Sequence, residues 1–326
     1  MNVRPWSRRT LLLQGTALMS AVALWRAALA GMTPGQGGRH GAPAAAAGTL
    51  MLGGDLEVAR LGFGAMRITG DGIWGEPPDA RAARALLRRA VELGVNFIDT
   101  ADAYGPEVSE RLIAEAWHPY PRGLVIATKG GLTRPSRAEW RPDGRPEHLR
   151  AACEASLKRL KLERIDLYQF HRPDPEVPLE DSVGELKRLQ QQGKIRHIGL
   201  SNIDLGQLRK AQRIIKVVSV QNRYNIADRA SEDVLAVCER EQIAFLPWGP
   251  LAQRAQTSGT PDASLVALKR FAEEHKLTLP VAALAWLLAK SPIMLPIPGT
   301  SRVDHLEQDV SAAQVRLSAA ELRRIG

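Results

Sequence analysis

From Leu50 onward, short apolar runs alternate with longer stretches in which apolar residues recur three and four positions apart. That is the pattern of buried strands separated by amphipathic helices. The runs ARLGFGAM, VNFID, LVIAT, IDLYQF, IRHIGLS, VVSVQ, IAFLPW and IMLPI predict eight strands. They are mostly apolar rather than strictly alternating, as strands covered on both faces are. Between them the pattern predicts a helix over 79–93, with Asp79 as its cap and Leu86, Leu87, Ala90 and Val91 on one face, and another over 107–117. Further helices are predicted from Arg145-Pro146-Glu147 onward and over 179–192, 205–215, 231–241 and 281–289. Segments 263–275 and 303–313 read as helices surplus to the repeat. Ahead of the first strand, TLML and LEVA flank Gly53-Gly54-Asp55 and predict a hairpin. Eight repeated β-α units favour a closed barrel over an open sheet. The predicted fold class is therefore α/β: a (β/α)8 TIM barrel with an N-terminal β-hairpin and two extra helices, one domain over 49–326.

The pattern is different before residue 49. Ser7-Arg8-Arg9-Thr10-Leu11-Leu12 opens an apolar stretch that runs to Trp25, and Ala28-Leu29-Ala30 follows as a small-residue cleavage site. A charged start, an apolar middle and A-x-A describe an export signal over 1–30. The arginine pair followed by leucine resembles the bacterial twin-arginine type, which implies the Tat export machinery as a partner and a periplasmic location. If the signal is not used, the location is cytoplasmic. Gln14 and Gly15 interrupt a stretch already short for a stable span, so no membrane insertion is expected. Residues 31–48 are rich in Gly, Ala and Pro and read as a flexible linker.

Charge and cysteine content narrow the function classes. The formal charge is +9, but Arg4, Arg8, Arg9 and Arg26 lie in the first thirty residues, leaving 9 − 4 = +5 for the remainder. The other arginines are interspersed with acids, as in CEASLKRLKLERID, which suits solvated helix faces and not a nucleic-acid stripe. Cys153 and Cys238 are the only cysteines and both fall in predicted helices. Neither a disulfide framework nor a zinc site is expected, and no metal is.

One motif invites a second fold. Gly70-Asp71-Gly72-Ile73-Trp74-Gly75 matches G-x-G-x-x-G, and Asp99 follows at a distance that suits a Rossmann reading. The third glycine of that fingerprint belongs in the opening turns of a helix. Here Glu76-Pro77-Pro78-Asp79 intervenes. The segment reads instead as a rim loop that carries Trp74 over a pocket.

The residues that end the strands carry the chemistry. VNFIDTADAYGP places Asp99 and Tyr104 after one apolar run, LVIATKGG places Lys129 after the next, and LYQFHRPD places His171 after the third. A barrel brings strand ends together on one rim. Hydride transfer to a carbonyl carbon leaves an alkoxide oxygen that needs a proton. A tyrosine hydroxyl can supply it, and a neighbouring ammonium lowers its pKa toward a working value. Lys129 is placed to be that ammonium, Asp99 to keep it charged, and His171 to donate a hydrogen bond to the carbonyl oxygen.

The blocks DTADAYGPEVSE, IATKGG, YQFHRPDP, GLSN, VQNRYN and IPGTS, in this order from about Leu50 to the C-terminus, resemble the aldo-keto reductases. The resemblance implies the (β/α)8 barrel, reversible reduction of small aldehydes and ketones, and NADP(H) favoured over NAD(H). It implies that Asp99, Tyr104, Lys129 and His171 are the catalytic tetrad. Ser201, Asn202 and Gln221 match the side chains that hold the nicotinamide amide, and Trp248 the aromatic residue stacked on its ring. Gly249, Pro250 and Leu251 begin the loop over the pyrophosphate. Gly299, Thr300, Ser301 and Arg302 precede an extra helix whose N-terminus suits a phosphate. His305, Gln308 and Asp309 lie at the adenine end. His305 stands where many members have Arg, and Gln308-Asp309 where Glu-Asn is usual. Trp74 and Trp140 are the predicted substrate-pocket aromatics. A second reading is a cofactor-binding redox sensor or regulatory barrel with little turnover; a nucleotide held tightly with no carbonyl turned over separates it from the first.

Overall fold

The computed structural model describes residues 42–251 and 263–326. A short 3-10 turn, Pro43–Ala47, comes first, followed by the antiparallel hairpin β1 (Thr49–Leu52) and β2 (Leu56–Ala59). Seven parallel strands then form one sheet: β3 (Phe63–Gly64), β4 (Phe97–Asp99), β5 (Val125–Gly130), β8 (Ile165–Phe170), β9 (Ile195–Ser201), β10 (Val217–Gln221) and β11 (Ala244–Phe245), paired in that order. A two-residue pair, β6 (Leu132–Thr133) and β7 (Arg141–Pro142), stands on the rim after β5. The intervening helices are α1 (Ala80–Glu92), α2 (Val108–Trp117), α3 (Pro146–Leu160), α4 (Leu179–Gln191), α5 (Leu205–Gln212) and α6 (Glu232–Arg240). They are followed by α7 (Ala263–Glu274), α8 (Leu279–Lys290), α9 (Val303–Ser311) and α10 (Ala319–Ile325).

Three of the helices start where a side chain satisfies their first amides. The Asp79 carboxylate accepts from the amides of Arg81 and Ala82. Asp204 with Gln207 and Ser318 with Glu321 form capping boxes on α5 and α10. Leu86, Leu87 and Ala90 of α1 are buried against the sheet. Inside the barrel, Phe97, Val125, Ala127 and Leu167 pack with Leu52, Leu56 and Val58 of the hairpin, which closes the floor. The filled interior leaves the opposite rim, at the C-terminal strand ends, for a site.

The eighth strand differs from its predicted form. Residues 293–298 occupy the closing position: the Phe245 amide donates to the Ile293 carbonyl, and the Leu295 amide to that of Phe245. On the other side, the Gly62 and Gly64 amides donate to the Pro296 and Pro298 carbonyls, each at 2.9 Å. The two prolines can accept but have no N–H to return, so the barrel closes without a regular eighth ladder. The predicted linker also ends early. Ala44 is fully buried and its amide donates to the Leu93 carbonyl at 2.9 Å, while Arg316 reaches the Ala46 carbonyl at 2.6 Å. Residues 42–48 therefore belong to the packed body, and alanine supplies the small side chain that fits there. The export signal and the earlier part of the linker lie outside the described residues.

Candidate active site

Period-two alternation along three neighbouring strands builds the site. Phe97 of β4, Val125 and Ala127 of β5 and Leu167 of β8 face the barrel interior. Two residues further on, the same faces present Asp99, Lys129 and Gln169. The register sets Asp99 beside Ala127 and Lys129 beside Gln169, and hydrogen bonds from Lys129 and Gln169 to Asp99 gather these polar groups at the end of the apolar core.

Lys129 is fully buried. Its Nζ donates to Asp99 Oδ2 at 2.6 Å, to the Thr100 carbonyl at 2.9 Å and to the Tyr104 hydroxyl at 3.3 Å. Asp99 Oδ1 accepts from Gln169 Nε2 at 2.9 Å and from Gln221 Nε2 at 2.8 Å. Burial alone would pull the ammonium down, but Asp99 and Tyr104 hold Lys129 above the ordinary lysine value, so it is charged. A buried pair of this kind persists because both partners are present and their remaining donors and acceptors are satisfied.

Tyr104 departs from the sequence expectation in one respect. Burial pushes its phenol up, and this outweighs the downward pull of Lys129. The hydroxyl is therefore firmly protonated, in the acid form that reduction needs. The His171 imidazole lies edge-on to the Tyr104 ring, with centroids 5.9 Å apart. Burial, then the neighbouring charges of Lys129 and Arg172, hold His171 well below the ordinary histidine range. It is neutral, with one N–H to donate, and its buried Nδ1 has no hydrogen-bond partner among the described residues.

These groups open into a cavity of about 1070 Å³. Asp99, Tyr104, His171 and Trp140 line one part. Ser201, Asn202, Gln221, Trp248, Gly249, Pro250, Leu251, Gly299 and Ser301 line another, and the rim loop with Gly72 and Ile73 and the seam at Gly64 also contribute to the wall. Asn202 sits in the left-handed region at φ 56, which turns its side chain back: Nδ2 donates to the His171 carbonyl at 3.0 Å, and Oδ1 accepts from Trp248 Nε1 at 3.0 Å. Ser201 Oγ donates to the Gln221 carbonyl. Gln221 thus spends its amide N–H groups on Asp99 and Gln169, leaving other groups to face a ligand. The loop after Leu251 continues outside the described residues.

Other predicted site residues lie elsewhere. Trp74 is not in the cavity wall; Arg134 lies over its ring at 5.4 Å, and its backbone bridges to Gly105. Thr300, Arg302, His305, Gln308 and Asp309 are outside the wall as well. Arg302 forms a two-point ion pair with Asp304, at 2.9 and 2.5 Å. Burial pushes the Asp309 carboxyl up to about 7. The glycine motif at 70–75 is a rim loop, with its Gly70 amide donating to the Gly75 carbonyl, and α1 does not begin until Ala80. Two residues escaped sequence reasoning. Gln169 would have been found by extending the inward face of β8 two residues past Leu167. Arg134, which ties the rim together, has no sequence signal because its partners are backbone carbonyls.

The cavity suits an elongated dinucleotide. It runs from the tetrad past an indole face and polar side chains to the backbone of Gly249, where nothing among the described residues lies within 4 Å of a Cβ position. A parallel barrel with a buried Asp-Lys-Tyr-His cluster at its C-terminal rim defines an oxidoreductase of the carbonyl-reducing class. The aldo/keto reductase family profile matches residues 60–326, and the chain belongs to that family. It is 50% identical over 276 residues to an uncharacterised oxidoreductase of Schizosaccharomyces pombe, covering 85% of this chain and 88% of that one. It is 40% identical over 272 residues to pyridoxine 4-dehydrogenase of Escherichia coli, covering 81% and 93%. An aldo/keto reductase of Klebsiella pneumoniae, solved with NADP and acetate, superimposes with a TM-score of 0.70 at 25% identity, covering 85% of this chain and 93% of that one. The protein is thus an oxidoreductase of this family, with the family's nicotinamide cofactor.

Proposed function

We propose that the protein catalyses reversible, NADP(H)-dependent hydride transfer between nicotinamide and a small aldehyde or ketone, or the matching alcohol, with Tyr104 as general acid and base. The observation that carries this is the Tyr104 hydroxyl at the cavity wall, 3.3 Å from a buried ammonium that Asp99 holds charged. When bound, the nicotinamide supplies the hydride for the carbonyl carbon, or accepts it in the reverse direction. Tyr104 gives its proton to the carbonyl oxygen as negative charge develops there. The Lys129 charge stabilises the phenolate left behind, and this is where the pull of the ammonium acts. Neutral His171 donates its N–H to the same oxygen and orients it. Gln169 and Gln221 hold Asp99 so that its second oxygen stays on Lys129.

Trp248 would face the nicotinamide ring, Ser201, Asn202 and Gln221 would lie along its amide edge, and Gly249, Pro250, Leu251, Gly299 and Ser301 would line the path of the phosphates. NADP over NAD is supported by Arg302 at the N-cap of α9 and His305 in its first turn, although Arg302 must exchange Asp304 for a 2′-phosphate. The NADP-bound Klebsiella relative supports it too. The name of the E. coli relative places aromatic alcohols and their aldehydes on the substrate panel. Tyr104→Phe is expected to lower kcat by roughly 10²–10⁴-fold, the usual worth of a general acid. The NADPH dissociation constant, read by fluorescence, should stay near the parent value. Full turnover in that variant removes Tyr104 from the mechanism.

The N-terminal segment supports export through the twin-arginine route, which carries folded proteins and therefore allows cofactor loading before transport. Fractionation of cells expressing the full chain should place it in the periplasm with nucleotide bound. Replacing Arg8 and Arg9 together by Lys should retain it in the cytoplasm. Equal distribution of parent and variant ends this proposal.

A further inference from the structure

Arg134 leaves all five of its N–H groups on backbone carbonyls. Nε donates to Glu139, Nη1 to Ile73 at 3.0 Å and Ala103 at 3.3 Å, and Nη2 to Gly72 at 3.3 Å and Arg137 at 2.7 Å. Those carbonyls belong to three separate segments: the rim loop 70–75, the residue before Tyr104, and the turn between β6 and β7. The guanidinium lies 3.7 Å from the centre of the Trp140 ring. The Trp140 ring in turn meets Tyr104 edge-on at 6.4 Å. Arg134 is only 8% exposed, and no carboxylate pairs with it among the described residues. A cation buried without a counter-charge is costly unless every donor is met, and a leucine of similar bulk would avoid that cost. The planar five-donor fork can tie three loops at once, which a lysine ammonium cannot.

We propose that Arg134 is a positioning residue that holds the carbonyl-side wall of the cavity, formed by Gly72, Ile73 and Trp140, at a fixed distance from Tyr104 and so selects substrates by bulk. The proposal rests on the reductase reading above. None of its contacts is with the tetrad side chains, so the proton chemistry is separate from it. A bulky planar carbonyl uses the whole wall, whereas a small one needs only Tyr104 and His171. Loosening the wall therefore penalises the first and spares the second.

The test compares the full chain with its Arg134→Ala and Arg134→Lys variants, using 4-nitrobenzaldehyde and propanal as probes. Expected is a rise in KM for 4-nitrobenzaldehyde of roughly tenfold in both variants, with kcat for propanal within about twofold of the parent. The NADPH dissociation constant should not move. Hydrogen exchange should speed up in 70–75 and in the β6–β7 turn while β5 stays protected. Equal changes for both aldehydes, or recovery of parent values by Lys, overturn the proposal. If Arg134→Ala does not fold, Arg134→Lys carries the test alone. If the parent turns over neither aldehyde, the reductase reading fails and exchange decides the clamp: unchanged protection of 70–75 in Arg134→Lys removes it.

Discussion

Asp99 does more than accept one ammonium. Its two oxygens take three donors, from Lys129, Gln169 and Gln221, on three different strands. Asp99→Asn keeps the shape but leaves the Lys129 ammonium buried without a counter-charge. The cost expected at neutral pH is about 3–5 kcal/mol, as for other broken buried pairs. The sign of the pH dependence separates this from simple loss of packing. In the parent, Lys129 is held above its ordinary value, so its stabilisation is full below that value and is lost only as pH rises through the higher folded one. In Asp99→Asn the largest remaining influence is burial, which pulls Lys129 down. The unfolded chain then binds the proton more tightly, and the variant gains stability as pH rises from 7 toward 10. Melting temperatures over that range check it: a flat parent against a rising variant is expected, and parallel curves refute the account. That Asp99, Lys129, Tyr104 and His171 meet at one rim was legible in the sequence because Asp99, Lys129 and His171 close apolar runs and Tyr104 follows Asp99 by five positions. Gln169 was not, because a glutamine inside LYQFH reads as one more position of a strand until its inward register is counted from Leu167.

Elements were most legible where a side chain marks the boundary. Asp79 begins α1, Pro146 opens α3, and the predicted helices of the repeat appear within a few residues of their expected spans. Legibility fell where backbone geometry sets the boundary. IMLPI has the composition of a strand, yet on the side that faces β3 Pro296 and the Pro298 that follows it can only accept, from Gly62 and Gly64. PAAAAG has the composition of a linker, yet Ala44 packs beneath the turn at Gly94 because alanine is small enough to fit there. The rim shows the same division. The glycine motif at 70–75 was read as a loop from the prolines that follow it, but Trp74 stays out of the cavity wall while Arg134, more than fifty positions along the chain, lies over its ring. Aromatic residues on a rim loop announce a pocket without saying which of them faces it: Arg134 lies over both indoles, yet only Trp140 is in the cavity wall.

At the scale of the whole molecule, barrel closure and cofactor path meet at one seam. Gly64 ends β3 and Gly299 follows the closing segment, and their backbones pass so closely that neither position has room for a side chain. A Cβ on Gly299 would stand 2.6 Å from the Gly64 carbonyl oxygen, and one on Gly64 would stand 2.7 Å from that of Ile297. The obstructing atoms are backbone, so no rotamer relieves the clash, and the seam must part. Both glycines also line the cavity, at the end where the phosphates would lie. Gly299→Ala is therefore expected to cost about 1–3 kcal/mol of stability, the range for overpacking a tight contact. It should also weaken NADPH binding while leaving the Asp99–Lys129–Tyr104 geometry in place. Denaturant unfolding gives the first quantity, and fluorescence titration the second. A control at Gly184, where a Cβ meets nothing within 4 Å among the described residues, should leave binding unchanged and, in the middle of α4, raise stability by a few tenths to about 1 kcal/mol. If Gly299→Ala binds NADPH as the parent does while losing stability, the seam closes the barrel without shaping the cofactor path, and the phosphates run elsewhere along the rim.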